Sequence, residues 1–94
     1  MLIDKGFTEG DVVTLKLISG EELIARFVSE TSIDITINKP LSIMMAQGLG
    51  LIPWIFLGDK DTITLKQSHV FAMVPSKRDA AKQYLEGTTG LALS

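Results

Sequence analysis

The chain has 94 residues, of which 46% are hydrophobic and 21% charged, which suits one globular domain with a single core and excludes a disordered chain. The net charge of −2 argues against a protein that clamps nucleic acid over its whole surface, because phosphate neutralisation needs clustered Lys and Arg. There is no cysteine, so disulfides, thiolate nucleophiles and zinc sites with sulfur ligands are excluded.

The first part of the chain predicts a lead-in followed by three strands. Residues 1–11 contain turn signals and predict an irregular segment or a short helical turn. Apolar and polar residues then alternate with a period of two in segments 12–18, 22–29 and 32–38, which predicts three β-strands joined by short turns and therefore antiparallel. Gly20 suits the first hairpin turn. The residues predicted to share apolar faces are Val13, Leu15, Leu17, Leu23, Ala25, Phe27, Ile33, Ile35 and Ile37.

A stretch without any charged residue follows at positions 40–58, close to the shortest length for a membrane span. Gly48, Gly50 and Pro53 would break an apolar helix, so an apolar β-hairpin is predicted here and no membrane contact is expected. One small domain cannot easily cover both faces of such a hairpin, and a second copy of the chain is its simplest cover. The two strands of the hairpin should cover residues 41–46 and 51–57.

Two more short strands and a helix complete the predicted elements. A polar turn at 58–61 leads into strands 62–66 and 69–74, and Pro75 ends the second of them. Ser76 can cap the following helix.

The C-terminal helix is predicted over residues 76–87, with its regular part at 77–86. Asp79 would complete a capping box with Ser76, and Gly87 would stop the helix. Residues 88–94 should form a loose or tucked tail. The apolar stripe of the helix consists of Ala80, Ala81, Tyr84 and Leu85.

Taken together, these elements predict a mainly β domain. Five or six strongly bent antiparallel strands followed by one α-helix point to a small barrel of SH3-like or OB-like size. The whole chain would be a single domain, divided into lead-in 1–11, barrel 12–75 with the hairpin at 40–58, helix 76–87 and tail 88–94.

Two segments of the predicted barrel resemble the two motifs of the Sm-like family. Residues 13–20, Val-Thr-Leu-Lys-Leu-Ile-Ser-Gly, are similar to the opening of the first motif, and Ala25 stands in place of its second glycine. Glu30 then takes the acidic position and Asp34 that of the asparagine. Residues 63–75 are similar to the second motif, and residues 73–76, Met-Val-Pro-Ser, resemble the bacterial Hfq branch. The acidic balance, the uncharged hairpin and the helix after the barrel resemble the divergent Sm-like proteins of marine tailed phages.

The resemblance implies a five-stranded barrel of SH3 type whose copies form a homo-oligomeric ring of five to seven subunits. In such rings the last strand of one subunit pairs with strand four of the next, which also removes open sheet edges. The interface residues expected on this basis are Trp54, Phe56, Val70, Phe71, Ala72 and Met73.

The resemblance also implies RNA binding around the pore, by the loop after strand two and the loop between strands four and five. Asp34 can only accept hydrogen bonds while ionised and adds negative charge near any phosphate. Lys66-Gln67 replaces the common Arg-Gly, which keeps a cation but loses the planar guanidinium. The candidate residues for RNA or single-stranded nucleic acid are Glu30, Asp34, Lys66, Gln67, Ser68 and His69.

Several of these residues also have a purely structural interpretation. His69, the only histidine, can be a partly exposed strand residue. Trp54 and Phe56 are expected in the core or a subunit interface, with base stacking as the alternative. Asp59 and Asp61 resemble a fragment of a calcium loop but lack its other ligands, so they predict a solvated turn. No metal and no cofactor are expected.

Two hypotheses about function remain, since no catalytic motif is present and an enzyme is not expected. The first is a ring that binds RNA or single-stranded nucleic acid at its pore. The second is a protein-interaction or assembly ring in which the hairpin and the helix contact other proteins. Charge favours the second and the resemblance favours the first. No export sequence follows Met1, so a cytoplasmic protein is expected, in the host cytoplasm if it is of phage origin.

Overall fold

A computed structural model describes residues 2–3 and 6–89 of the chain. As the sequence predicts, the secondary structure is mainly β with one helix at the C-terminal side. The strands are Leu2–Ile3 (β1), Val12–Leu17 (β2), Glu22–Glu30 (β3), Asp34–Met45 (β4), Leu49–Pro53 (β5), Thr62–Lys66 (β6) and Val70–Pro75 (β7). A 3-10 turn at Gln67–His69 joins β6 to β7, and helix α1 covers Arg78–Thr88.

The strands form one sheet in the order β1-β7-β2-β3-β4-β5, and β6 pairs with the first part of β4. All pairs are antiparallel except β1 with β7, which is parallel. A closed five-stranded barrel is predicted from the sequence, but the sheet is not closed. Among the described strands no ladder joins β6 to β7, because the 3-10 turn redirects the chain between them.

A bend in β4 determines how the sheet is arranged. Two separate strands, 32–38 and 41–46, are predicted here, but the structure contains one strand of twelve residues. Lys39 has a φ of 52°, and Ala25 of β3 faces two residues of β4, so a β-bulge lets the strand continue past Pro40. As a result, β4 pairs with β6 before the bend and with β5 after it.

The core lies on one face of this bent sheet. The period-two alternation predicts most of it correctly, but Ile33 precedes β4 and is largely exposed. Phe7, Trp54 and Leu65 pack against the core from its margin. The buried cluster consists of Val13, Leu15, Leu17, Leu23, Ala25, Phe27, Ile35, Ile37, Val70 and Met73.

Helix α1 lies over the opposite face of the sheet. Ile24 alternates with the core residues of β3 and is nevertheless fully buried, as is Tyr84 of the helix. The amide Nε2 of Gln83 donates to the carbonyl oxygen of Leu49 in β5 at 3.0 Å. The predicted apolar stripe of the helix is confirmed, since Tyr84 is buried and its other three members are half-buried.

The predicted ends of the helix are wrong. Ser76 does not cap it, because its hydroxyl lies 2.8 Å from that of Thr14; the cap residue is Lys77, which makes no side-chain bond to the helix. Gly87 lies inside the helix, which ends one residue later at Thr88. Of the predicted tail, residues 90–94 lie outside the described part of the chain.

The remaining differences concern element boundaries. The hairpin is present, but its second strand begins at Leu49 and ends at Pro53. His69 belongs to the 3-10 turn rather than to a strand. In the predicted lead-in, residues 2–3 form a strand, and residues 1, 4 and 5 lie outside the described part. The one described helix is too short to cross a membrane.

Candidate nucleic-acid interface

The two candidate segments, 30–34 and 66–69, lie side by side at the edge of the sheet. They meet because β4 and β6 are antiparallel and Asp34 is paired with Lys66 in their ladder. Just beyond this pair, the backbone N–H of Gln67 donates to the carbonyl oxygen of Ile33 at 2.9 Å. The register of one ladder therefore brings together residues more than thirty positions apart.

Side chains also link the two segments. The ammonium Nζ of Lys66 lies 3.6 Å from Oδ1 of Asp34, with 63% of the lysine side chain and 31% of the aspartate side chain exposed. The amide of Gln67 donates to the carbonyl oxygen of Thr31. The cation and the amide donor predicted for RNA binding are thus both engaged within the chain.

Thr31 organises the turn that carries Asp34. Its hydroxyl oxygen accepts from the backbone N–H of Ile33 at 3.2 Å and of Asp34 at 3.0 Å. Such local bonds between a Thr side chain and the backbone define a turn before the next strand begins. Sequence reasoning did not select Thr31, although a threonine three residues before the strand is the signal that could have identified it.

The other candidate residues occupy different positions around this pair. Ser68 and His69 are exposed on the 3-10 turn, and the carbonyl oxygen of His69 accepts from the N–H of Ile18 at 3.0 Å. Glu30 is half-buried at the end of β3, where it is paired with Ile35 in the ladder. Five of the six candidates therefore lie where β6 and its turn meet the start of β4, and Glu30 lies on the neighbouring strand.

The electrostatics of the site in a single copy are weak. Lys66 and Asp34 form an exposed ion pair of opposite charges, which contributes about 0–1 kcal/mol to stability and leaves little net field. A phosphate group would have to compete with Asp34 for Lys66. Any binding by one copy would therefore be weak and sensitive to salt.

The predicted interface residues on β7 separate into two groups. Val70 and Met73 are buried in the core, so only their backbone could reach another chain. The pairing of β7 with β2 shifts at Phe71, which forms a bulge and leaves its side chain 68% exposed. Ala72 is half-buried.

The two predicted interface aromatics after β5 also differ. The indole Nε1 of Trp54 donates to Oε2 of Glu21 at 3.1 Å, and the ring packs against the margin of the core. Phe56 is 72% exposed and Leu57 is 98% exposed. Trp54 thus belongs mainly to its own subunit, whereas Phe56 has most of its surface available for a partner.

Exposed apolar side chains extend along the hairpin and the segment that follows it. Single exposed apolar residues are ordinary, but six within one hairpin and its exit form an uncommon concentration for a monomer. We call these residues the apolar ridge: Met44, Met45, Ile52, Ile55, Phe56 and Leu57.

Neither a search for metal sites nor comparison with known proteins assigns a further role to these residues. Within the described residues, no three His, Asp or Glu side chains lie close enough together to hold a metal ion. No known protein family and no curated protein matches the chain.

Proposed function

We propose that this chain is the subunit of a homo-oligomeric Sm-like ring of five to seven copies, and that the ring binds RNA or single-stranded nucleic acid at its pore. The observation that carries the binding proposal is the meeting of segments 30–34 and 66–69 around the Asp34–Lys66 pair. These are the two segments to which the family resemblance assigns the RNA.

Two strand edges with few partners support the ring. In the numbering implied by the resemblance, strands one to five of the Sm-like pattern correspond to β2, β3, β4, β6 and β7. Among the described strands, β6 pairs only with β4, and the outer edge of β7 carries only the two-residue β1. An unpaired edge is a template for another chain, so the free edge of β6 can extend the sheet of the next copy at β7, where residues 70–71 and 74–75 lie beyond the two positions paired with β1.

The apolar ridge supports self-association independently of the strand edges. Its side chains belong to the stretch without charges, so the ridge itself brings no ionic group into a contact. Covering this surface would remove apolar area from water at roughly 25 cal/mol per Å².

Repetition around a ring can compensate for the weak single site. Each copy would contribute one Lys66 and one exposed His69, and a strand of nucleic acid that touches several copies gains from their proximity. Lys66 therefore matters for binding through its multiplicity rather than through the affinity of one contact.

Fluorescence anisotropy with short A-rich and U-rich RNA at two salt concentrations tests the binding proposal. We expect binding that weakens with salt and is strongly reduced by Lys66→Ala. Lys60→Ala is the matched control, because it removes an exposed lysine outside the site. Unchanged anisotropy with both RNAs would overturn nucleic-acid binding and leave the ring to be tested by its mass.

The second candidate is an assembly ring that contacts proteins and leaves its pore empty. The pairing of Lys66 with Asp34, the net charge of −2 and the apolar ridge favour it. It predicts a ring by light scattering together with no RNA binding at low salt. The two candidates thus share the ring and differ in the anisotropy result.

A further inference from the structure

A small cleft beside the 3-10 turn joins two residues that the sequence places in different roles. Trp54, predicted for the core or the interface, and His69, predicted for the RNA site, both line it. Its volume is about 230 Å³. This is below the roughly 300–1,000 Å³ of clefts that hold drug-sized ligands, so it suits one planar ring system. The lining residues are Leu17, Ile18, Ser19, Trp54, Leu65 and His69.

We infer that this cleft binds an unpaired nucleobase that carries an exocyclic amino group, with Trp54 as the stacking surface. The inference rests on the proposed nucleic-acid function and names the base-recognition part of it. It also supplies a large aromatic ring beside segments 30–34 and 66–69, whose own ring is the smaller imidazole of His69.

The fixed position of Trp54 makes it suitable for this role. Its N–H is bound to Glu21, and its ring packs against the core, so little side-chain freedom remains to be lost on binding. Stacking of a base on an aromatic side chain tolerates any base and is among the main sources of affinity for single strands. His69 offers a second ring at the same cleft, on the exposed turn that follows Lys66.

Glu21 does not line the cleft itself, but it is bonded to two residues that do, Ser19 and Trp54, and from there it can give the cleft a preference among bases. Its two carboxylate oxygens accept from Ser19 Oγ at 3.2 Å and from Trp54 Nε1 at 3.1 Å. A carboxylate has about four acceptor positions, so it can accept further bonds from a ligand. Adenine, cytosine and guanine each present an exocyclic amino group with two N–H donors, whereas uracil offers a carboxylate only its single ring N3–H between two carbonyl oxygens, which repel the negative charge. The negative charge also disfavours a phosphate beside Glu21, so the backbone should pass on the Lys66 side.

Trp54 is the only tryptophan of the chain, so its fluorescence reports directly on the cleft. The protein is titrated with short oligo-A, with oligo-U and with an abasic oligomer of equal charge, and anisotropy is measured on the same samples. We expect strong quenching by oligo-A, weaker quenching by oligo-U and none by the abasic oligomer. His69→Ala should weaken the oligo-A titration roughly five-fold or more, in line with the loss of a stacking contact. Lys82→Ala, which removes an exposed positive charge from α1 away from the cleft, should leave it unchanged.

Each other outcome has a definite meaning. If RNA raises the anisotropy without quenching Trp54, base binding by the cleft is overturned, but nucleic-acid binding by the protein is supported. If no oligomer changes the anisotropy, nucleic-acid binding is overturned. Base binding by the cleft is then tested separately by titrating Trp54 fluorescence with free adenosine at millimolar concentration. Quenching by adenosine that saturates and that is weaker in His69→Ala supports base binding by the cleft. Quenching that rises linearly and equally in the wild type and in His69→Ala overturns it. A change of Trp54 emission with protein concentration alone assigns the cleft to a neighbouring copy and also overturns the inference.

Discussion

The hydroxyl oxygen of Tyr84 lies 2.8 Å from the carbonyl oxygen of Lys39, and 3.0 Å from that of Asn38, at the bend of β4. The ammonium group of Lys39 in turn donates to the carbonyl oxygen of Thr88 at the end of the helix, at 3.1 Å. The helix therefore donates a hydrogen bond to the bend of β4, and the bend donates one to the helix. Because the bend directs β4 first to β6 and then to β5, α1 helps to fix the edge that carries the Asp34–Lys66 pair.

Replacing Tyr84 by phenylalanine should destabilise the fold by about 1–2 kcal/mol, because the ring stays buried while its hydroxyl no longer donates to the bend. Tyr84→Ala, which also leaves a cavity, should cost about 3–5 kcal/mol. Urea unfolding followed by Trp54 fluorescence measures both. Equal stability of wild type and Tyr84→Phe would show that the hydrogen bonds to β4 contribute nothing.

The stability should also fall at high pH through Tyr84. Burial is the main reason why the pKa of Tyr84 is raised from 10.0 to about 12. The folded protein therefore keeps the proton to a higher pH than the unfolded chain, so this stabilisation is complete below pH 10 and is lost as the pH rises to about 12. The loss is at most about 2–3 kcal/mol.

The matched control for this pH dependence is Tyr84→Phe, in which all other titrating groups remain. The advantage of the wild type in unfolding free energy should fall from pH 9 to pH 12 as the unfolded tyrosine ionises, and should disappear or reverse because the loss exceeds the hydrogen-bond contribution. Since Tyr84 is the only tyrosine, its ionisation can be followed separately by the absorbance of the tyrosinate. A difference that stays constant over this range, or a tyrosinate signal that appears with an ordinary pKa, would contradict the raised pKa.

The substitution Asp34→Asn should strengthen RNA binding roughly five-fold at low salt. It removes a negative charge from beside Lys66, and a single charge at about 4 Å in water is worth about 1 kcal/mol. The gain should vanish at high salt. Asp59→Asn, which removes an exposed carboxylate outside the site, is the control for net charge. Equal gains in both variants would show that RNA responds only to the overall charge of the chain.

Charges placed on the apolar ridge should prevent self-association without unfolding the subunit. Phe56→Glu and Leu57→Glu change side chains that are largely exposed in one copy, so the unfolding free energy of a single subunit should shift by no more than about 0.5 kcal/mol. In a ring, the same carboxylates would be buried without partners, and the mass should fall to that of smaller species. Ser29→Glu, at an exposed strand position away from the ridge, should leave the mass unchanged.

The strands that sequence predicts well are those with strict alternation. β2 and β3 are found within one residue of their predicted ends, because one face of each is buried in the core. At position 39 the alternation pattern does not predict the structure. A Lys-Pro pair normally ends a strand, but the positive φ of Lys39, its N–H bond to the Asp61 carbonyl and the contact with Tyr84 let β4 continue.

The candidate site was predicted only in part, because its contacts join residues that are distant in the sequence. The resemblance assigns segments 30–34 and 66–69 to one RNA site, but the pairing of Asp34 with Lys66 depends on the register of β4 with β6, which was not predicted. The contact of Trp54 with Glu21 depends on the path of residues 54–61, which has no periodicity to read. Ser76 was predicted to cap the helix from its local sequence, but its hydroxyl bonds to Thr14 instead. Such a tertiary contact cannot be predicted from the neighbouring residues.

Light scattering of the purified protein tests most directly whether copies of the chain associate through their sheet edges and apolar ridge. We predict one species with a mass five to seven times the 10.2 kDa of the chain, stable on dilution into the low micromolar range. A mass equal to a single chain at all concentrations would contradict the ring and, with it, the multivalent site.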